Sequence, residues 1–156
     1  MDAARRRLEE IRDWQRRERI LMDWVWALPL QLGFTELCLA EGDLDAADGE
    51  AVRFLAIASK TAERTWIALA HYASAAVAQA KGDHGLVRES VDRGLAMIEG
   101  VQAPMAEWRL QMLNGREGIA RGREILSGLA ERLLVDDPLR QSIASVSATY
   151  GCVARA

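Results

Sequence analysis

Ala40-Glu41-Gly42-Asp43-Leu44-Asp45-Ala46-Ala47 and, forty residues later, Ala80-Lys81-Gly82-Asp83 carry one pattern twice, and this repetition decides the fold. A glycine ends a helix in left-handed backbone without a Cβ penalty, and the aspartate after it can accept a backbone N–H of the helix that follows. Each stretch therefore reads as helix, sharp turn, helix. When the chain is slid along itself by forty residues, Trp26 falls on Trp66, Ala47 on Val87, Leu55 on Leu95 and Ala56 on Ala96. A third tryptophan, Trp108, follows Trp66 by forty-two. One helix pair cannot bury its apolar face alone, so a period of this length predicts pairs that stack on their neighbours.

Outward from these turns, apolar residues recur at spacings of three and four, and strand signals are nearly absent. Helices are predicted over about 44–60, 62–81, 86–99, 104–113, 118–135 and 138–150. Pro104 and Pro138 stand where a helix can begin without losing a bond it needs. Upstream, 30–41 reads as helical. So does about 2–28, with Leu8, Ile11, Trp14, Leu21, Trp24, Val25 and Leu28 along one stripe. Pro29 between them lacks a backbone donor and is expected to kink or restart the helix. From Trp66 to Ala80 the chain bears no formal charge and is rich in alanine, which suits a helix covered on several sides. The expected organisation of 1–156 is one all-α domain of about six to seven helices. It comprises a charged amphipathic N-terminal helix (1–28), repeat one (30–60), repeat two (62–100), a degenerate repeat three (104–135) and a capping helix (138–150).

Composition narrows the function. Half of the 156 residues are apolar, and 20 basic against 23 acidic residues leave a net charge of −3, so no general attraction to nucleic acid or anionic membrane is expected. Seven arginines (5, 6, 7, 12, 16, 17 and 19) nevertheless crowd the first nineteen residues, a cluster read as a solvated helix face rather than a phosphate contact. Two distant cysteines, Cys38 and Cys152, suggest neither a disulfide framework nor a metal site and suit a reducing compartment, the cytoplasm. The start of the chain is charged from Asp2, unlike a signal peptide, and no uncharged apolar run reaches the roughly eighteen residues of a membrane span.

Groups able to do chemistry are sparse. His71 is a lone titratable residue on the alanine-rich helix, with Ile67, Ala68, Ser74 and Ala75 at helical spacing; without a carboxylate to orient it, it reads as a core or groove-lining histidine rather than a base. His84 beside Asp83 suits a cap or a solvated turn, and two such groups are too few for a metal. Cys38 reads as a small buried hydrophobe. Trp26, Trp66 and Trp108 recur with the period and are expected in the core, whereas Trp14, among Arg12, Arg16 and Arg17, is expected to be exposed.

Glu41-Gly42-Asp43-Leu44-Asp45-Ala46-Ala47 resembles the inter-helix signature of tetratricopeptide repeats. Ala62-Glu63-Arg64-Thr65-Trp66, Leu69-Ala70, Lys81-Gly82-Asp83, Pro104-Met105-Ala106-Glu107-Trp108-Arg109 and Asp137-Pro138-Leu139-Arg140 are similar to a divergent bacterial group of such regions, over about residues 20–143. That group forms the C-terminal part of large signalling proteins with ATPase, protein-kinase, cyclase or transcription-activator modules upstream. Two departures stand out: Asn114-Gly115 turns the third unit early, and no phosphate-binding or kinase motif is present. The resemblance implies a short α-solenoid whose first helices line a concave groove. Carried over through the Gly-Asp anchors, that groove comprises Leu32, Glu36 and Leu39, then Leu69, Tyr72, Ala76 and Gln79. So sparsely charged a groove suits an apolar or helical protein segment. The expectation is a non-catalytic protein-interaction or regulatory module with no cofactor, part or remnant of a signalling protein, able to pair with a second copy through its terminal helices. The alternative is a small-molecule sensor with a pocket near Trp66 and His71, switching an attached output module.

Overall fold

The structure, a computed structural model, describes residues 2–18 and 23–153, with side chains described at 2–18 and 25–146. Among these residues it is all-helical, with eight helices and no strand: α1 (Asp2–Arg17), α2 (Asp23–Glu41), α3 (Leu44–Ala58), α4 (Arg64–Lys81), α5 (His84–Met97), α6 (Pro104–Met112), α7 (Gly115–Glu131) and α8 (Pro138–Val153). No helix among them is long and apolar enough to cross a membrane.

The two Gly-Asp turns share one geometry. Gly42 and Gly82 take positive φ values of 78° and 76°. The N–H of Gly42 donates to the Leu39 carbonyl (3.1 Å) and that of Asp43 to the Cys38 carbonyl (3.0 Å); Gly82 and Asp83 do the same to Gln79 (3.1 Å) and Ala78 (2.9 Å). These paired bonds satisfy carbonyls that a helix end leaves free. The Asp43 and Asp83 carboxylates then accept the N–H groups of Ala46 (3.0 Å) and Leu86 (2.9 Å), capping α3 and α5. Where α5 ends, Arg64 from α4 satisfies the chain instead, donating to the Met97 carbonyl and, at 2.8 Å, to that of Glu99.

Consecutive helices pack on one another from α1 through α8, and α4 also packs on α2 and α6. The main core runs through α2 to α6, from Leu28 and Cys38 through Phe54, Ala68, Tyr72 and Val77 to Val91 and Leu110. Alanines at 68, 70, 73, 75 and 78 are essentially inaccessible, so α4 lies close to its neighbours on most sides. A smaller core of Trp108, Met112 and Leu126, flanked by Ile119, Ile125, Leu129, Ile143 and Val146, joins α6, α7 and α8. Here α7 approaches the α6 backbone through glycines one turn apart. A Cβ on Gly118 would stand 2.5 Å from the Gln111 carbonyl oxygen, and one on Gly122 3.0 Å from that of Trp108.

Several expectations are corrected. Pro29 does not break its helix: α2 runs through it, held by buried Leu28 and Leu30, while Pro29 itself faces solvent, where water can reach the carbonyl its missing N–H leaves free. The break falls earlier, after α1 ends at Arg17, so the expected helix 2–28 is divided and the count is eight rather than six to seven. Leu21 and Arg19 lie outside the described residues, as do the side chains of Trp24 and Cys152. Helix α4 starts at Arg64 because Ala62 adopts φ 56°, and α7 starts at Gly115, directly after Asn114, rather than at 118. Trp26 is not a core residue. It is 56% exposed, whereas Trp108 is buried and half-buried Trp66 meets Phe54 of α3 edge-to-face, with ring centroids 6.3 Å apart. The physical reason is what packs beside each ring: α3 gives Trp66 its partner in Phe54, whereas α1, the helix before α2, leaves most of Trp26 uncovered.

The arginine cluster is only partly a solvated face. Arg6, Arg7, Arg16 and Arg17 are exposed, but Arg5 is paired with Glu41, and Arg12 lies 3.3 Å above the Phe34 ring and 3.0 Å from Glu50. Each of the two ties α1 to the helices behind it. Leu8 adds an apolar contact against Gly33, where a Cβ would stand 3.3 Å from the Leu8 Cδ2.

Candidate binding surface

Helices α2, α4 and α6, the first of each predicted pair, lie side by side and carry the expected groove residues. Glu36 on α2 and Gln79 on α4 are exposed. Leu32, Leu39 and Ala76 are half-buried against the main core, showing a partner only part of their surface. Leu69 and Tyr72 are covered within the chain, at 3% and 7% exposure, and act as core residues. The surface available on this layer is therefore narrower and more polar than the sequence implies.

Sequence reasoning missed Arg109 on α6 as the residue that joins this layer. Its Nε lies 3.9 Å from the Glu36 carboxylate, and its guanidinium lies 4.5 Å from the Trp108 ring centroid and 6.0 Å from that of Tyr72. The arginine thus spans from α6 past α4 to α2. Nη1 donates to the Met105 carbonyl at 3.0 Å, while buried Nε has no hydrogen-bond partner among the described residues. Burial pushes the Glu36 carboxyl up from its ordinary value, and the charge of Arg109 opposes that shift. The only hint in the sequence is the arginine after the third periodic tryptophan; its pairing with α2 depends on two non-consecutive helices, α2 and α6, both packing on α4.

His71 is half-buried on α4, and burial first, then the Arg93 charge, lower its pKa from 6.5. It is held neutral over more of the pH range. Ser74 donates its hydroxyl to the Ala70 carbonyl (3.2 Å), not to His71. No group of three or more His, Cys, Asp or Glu able to hold a metal occurs among the described residues. Cys38 is buried and unbonded to another cysteine.

The described clefts lie elsewhere than the expected pocket near Trp66 and His71. One of about 580 Å³ opens between α1, α2 and α3, lined by Arg12, Gln15, Arg16, Gln31, Glu50 and Arg53 over Ala27, Leu30 and Ile57. Another, of about 320 Å³ and almost wholly apolar, opens where α6, α7 and α8 meet, around Trp108, Leu126, Leu129 and Ile143. No family model, no curated protein and no solved structure matches the chain.

Proposed function

We propose that this chain is a non-catalytic protein-interaction module of tetratricopeptide type, a short α-solenoid that serves as part or remnant of a bacterial signalling protein in the cytoplasm. One observation carries the reading. Two helix pairs close through Gly-Asp turns of the same hydrogen-bonded geometry, and their first helices, with α6, lie in one layer around α4. Such a layer supports the reading because repeat architectures present rows of helices to a common ligand. The ligand of such a layer is a protein segment, apolar or helical, that meets Leu32, Leu39 and Ala76 and is oriented by Glu36, Arg109 and Gln79. The sparseness of acid–base pairs favours binding over catalysis.

The test is a comparison of two folded proteins. Glu36→Gln with Gln79→Glu removes one charge, keeping an acceptor beside Arg109, and adds another at an exposed position, so its melting temperature should stay close to that of the parent. A partner recovered with the parent chain from its native cell extract should be lost with this variant. Equal recovery with both proteins, or no specific partner with either, defeats the reading.

A further inference from the structure

We propose that the cleft between α1, α2 and α3 is a binding site for a small phosphate monoester with an apolar body, independent of the helical layer described above. Three guanidinium groups, from Arg12, Arg16 and Arg53, line it against one carboxylate, Glu50. The surplus is two positive charges, which a phosphate monoester near its dianionic form at neutral pH would balance. The volume, about 580 Å³, suits a small organic molecule, and Ala27, Leu30 and Ile57 offer such a ligand an apolar wall.

The site is built rather than scattered. Glu50 has only a tenth of its side chain exposed and stands between Arg12 Nη2 (3.0 Å) and Arg53 Nη1 (2.9 Å), while Gln31 donates to the same carboxylate. Stacking on Phe34 fixes the Arg12 plane. Holding α1 in place does not use up these groups: Arg12 Nη2 stands 3.0 Å from Glu50 but off hydrogen-bonding angle, and Arg53, though paired with Glu50, keeps 61% of its side chain exposed. Arg16 supports this: 71% of its side chain is exposed, its nearest acid is Asp13 at 3.7 Å, and it adds nothing to the Glu50 cluster except charge at the rim. Guanidinium forks match phosphate oxygens in a way that point charges do not.

The probe is phenyl phosphate, titrated calorimetrically into the full chain, with inorganic phosphate and benzoate as separate arms. Phenyl phosphate should bind and raise the melting temperature, inorganic phosphate should bind more weakly for want of the apolar wall, and benzoate should bind weakest for want of the second charge. Arg16→Gln with Arg53→Gln removes two mostly exposed guanidinium groups and leaves Arg12 on Glu50, so the fold should persist. Affinity for phenyl phosphate should fall at least about tenfold in that variant, roughly one charge-assisted hydrogen bond. No binding of phenyl phosphate by the parent chain at millimolar concentration, undiminished binding by the double variant, or benzoate binding as tightly as phenyl phosphate would each overturn the assignment.

Discussion

Helices α1 and α8 each close one end of the described helices, and they are attached by different chemistry. Helix α1 contributes no buried residue; it is held by Arg12 on Glu50 and Phe34, by Arg5 on Glu41, and by Leu8 in the space left by Gly33. Helix α8 is held through Ile143 and Val146 on the cluster of Trp108, Met112 and Leu126. Polar attachment is directional and sensitive to charge, whereas apolar attachment scales with area removed from water. The difference teaches where specificity and where adhesion reside: the N-terminal end has a charged cleft, and the C-terminal end has an apolar one.

The largest expected effect breaks the apolar end. Leu126 is 3% exposed at the centre of the smaller core, and Leu126→Ala should lower stability by about 3 kcal/mol, transfer and cavity contributions together. Urea unfolding measures this. At about 1 M salt, where charges are screened beyond roughly 3 Å, the loss should be unchanged. A loss below about 1 kcal/mol would mean that α7 and α8 are not packed as described.

Next comes the close approach that lets α7 reach α6. A methyl on Gly118 would meet the Gln111 carbonyl at 2.5 Å and Asn114 Cβ at 2.6 Å, whereas one on Gly128 of the same helix meets nothing within 4 Å. Overpacking at Gly118 should cost about 3 kcal/mol, and the better helix propensity of alanine should return about 1, leaving Gly118→Ala about 2 kcal/mol less stable. Gly128→Ala keeps only the gain and should be more stable by about 0.5–1 kcal/mol. Opposite signs in one helix are the result to look for, and equal signs would refute the close approach.

At the polar end the effect is smaller and depends on salt. Glu50→Gln keeps the shape but leaves Arg12 and Arg53 without their carboxylate, at an expected loss of about 1.5 kcal/mol, modest because Arg12 retains some exposure and Arg53 much more. In urea melts this loss should shrink as salt rises, in contrast to that of Leu126→Ala. If both variants responded alike to salt, the two ends would not differ in kind.

How much of this was legible depends on range. The Gly42-Asp43 and Gly82-Asp83 turns were readable because each is built from residues within one helical turn, and the second cap repeats the first. Helix positions followed from spacing, except where burial of Leu28 and Leu30 carried α2 through Pro29. The exposure of Trp26 was not readable, since periodicity assigns a position in the unit and not which side chains of other helices come to lie over it. Nor were the Glu36–Arg109 and Arg12–Glu50 pairs, whose partners sit on helices far apart in sequence and meet only once the chain has folded back. Of the groove, Glu36 and Gln79 emerged as open surface; Leu69 and Tyr72 went into the core because a small-residue helix draws its neighbours in until its larger side chains are covered.

The smallest expected effect separates the two ends by acid. A hydrogen bond and ion pair from Arg5 hold the Glu41 carboxyl below its ordinary value of 4.5, partial burial opposing. A carboxyl whose pKa is lowered by folding stabilises the folded chain above its unfolded value and loses that contribution as pH falls through the folded one. Arg5→Gln should therefore be less stable than the parent near neutrality, by less than Glu50→Gln, and the gap should close as pH drops below 4.5. Glu36, whose carboxyl is pushed up, works in the opposite sense: its contribution grows as pH falls through its folded value toward 4.5, in the parent and in the Arg5 variant alike, so it cancels from the difference between them. Urea melts of both proteins across this range provide the measurement. A gap that stayed constant into acid would show that Arg5 supports α1 by packing alone, and the polar end would then resemble the apolar one.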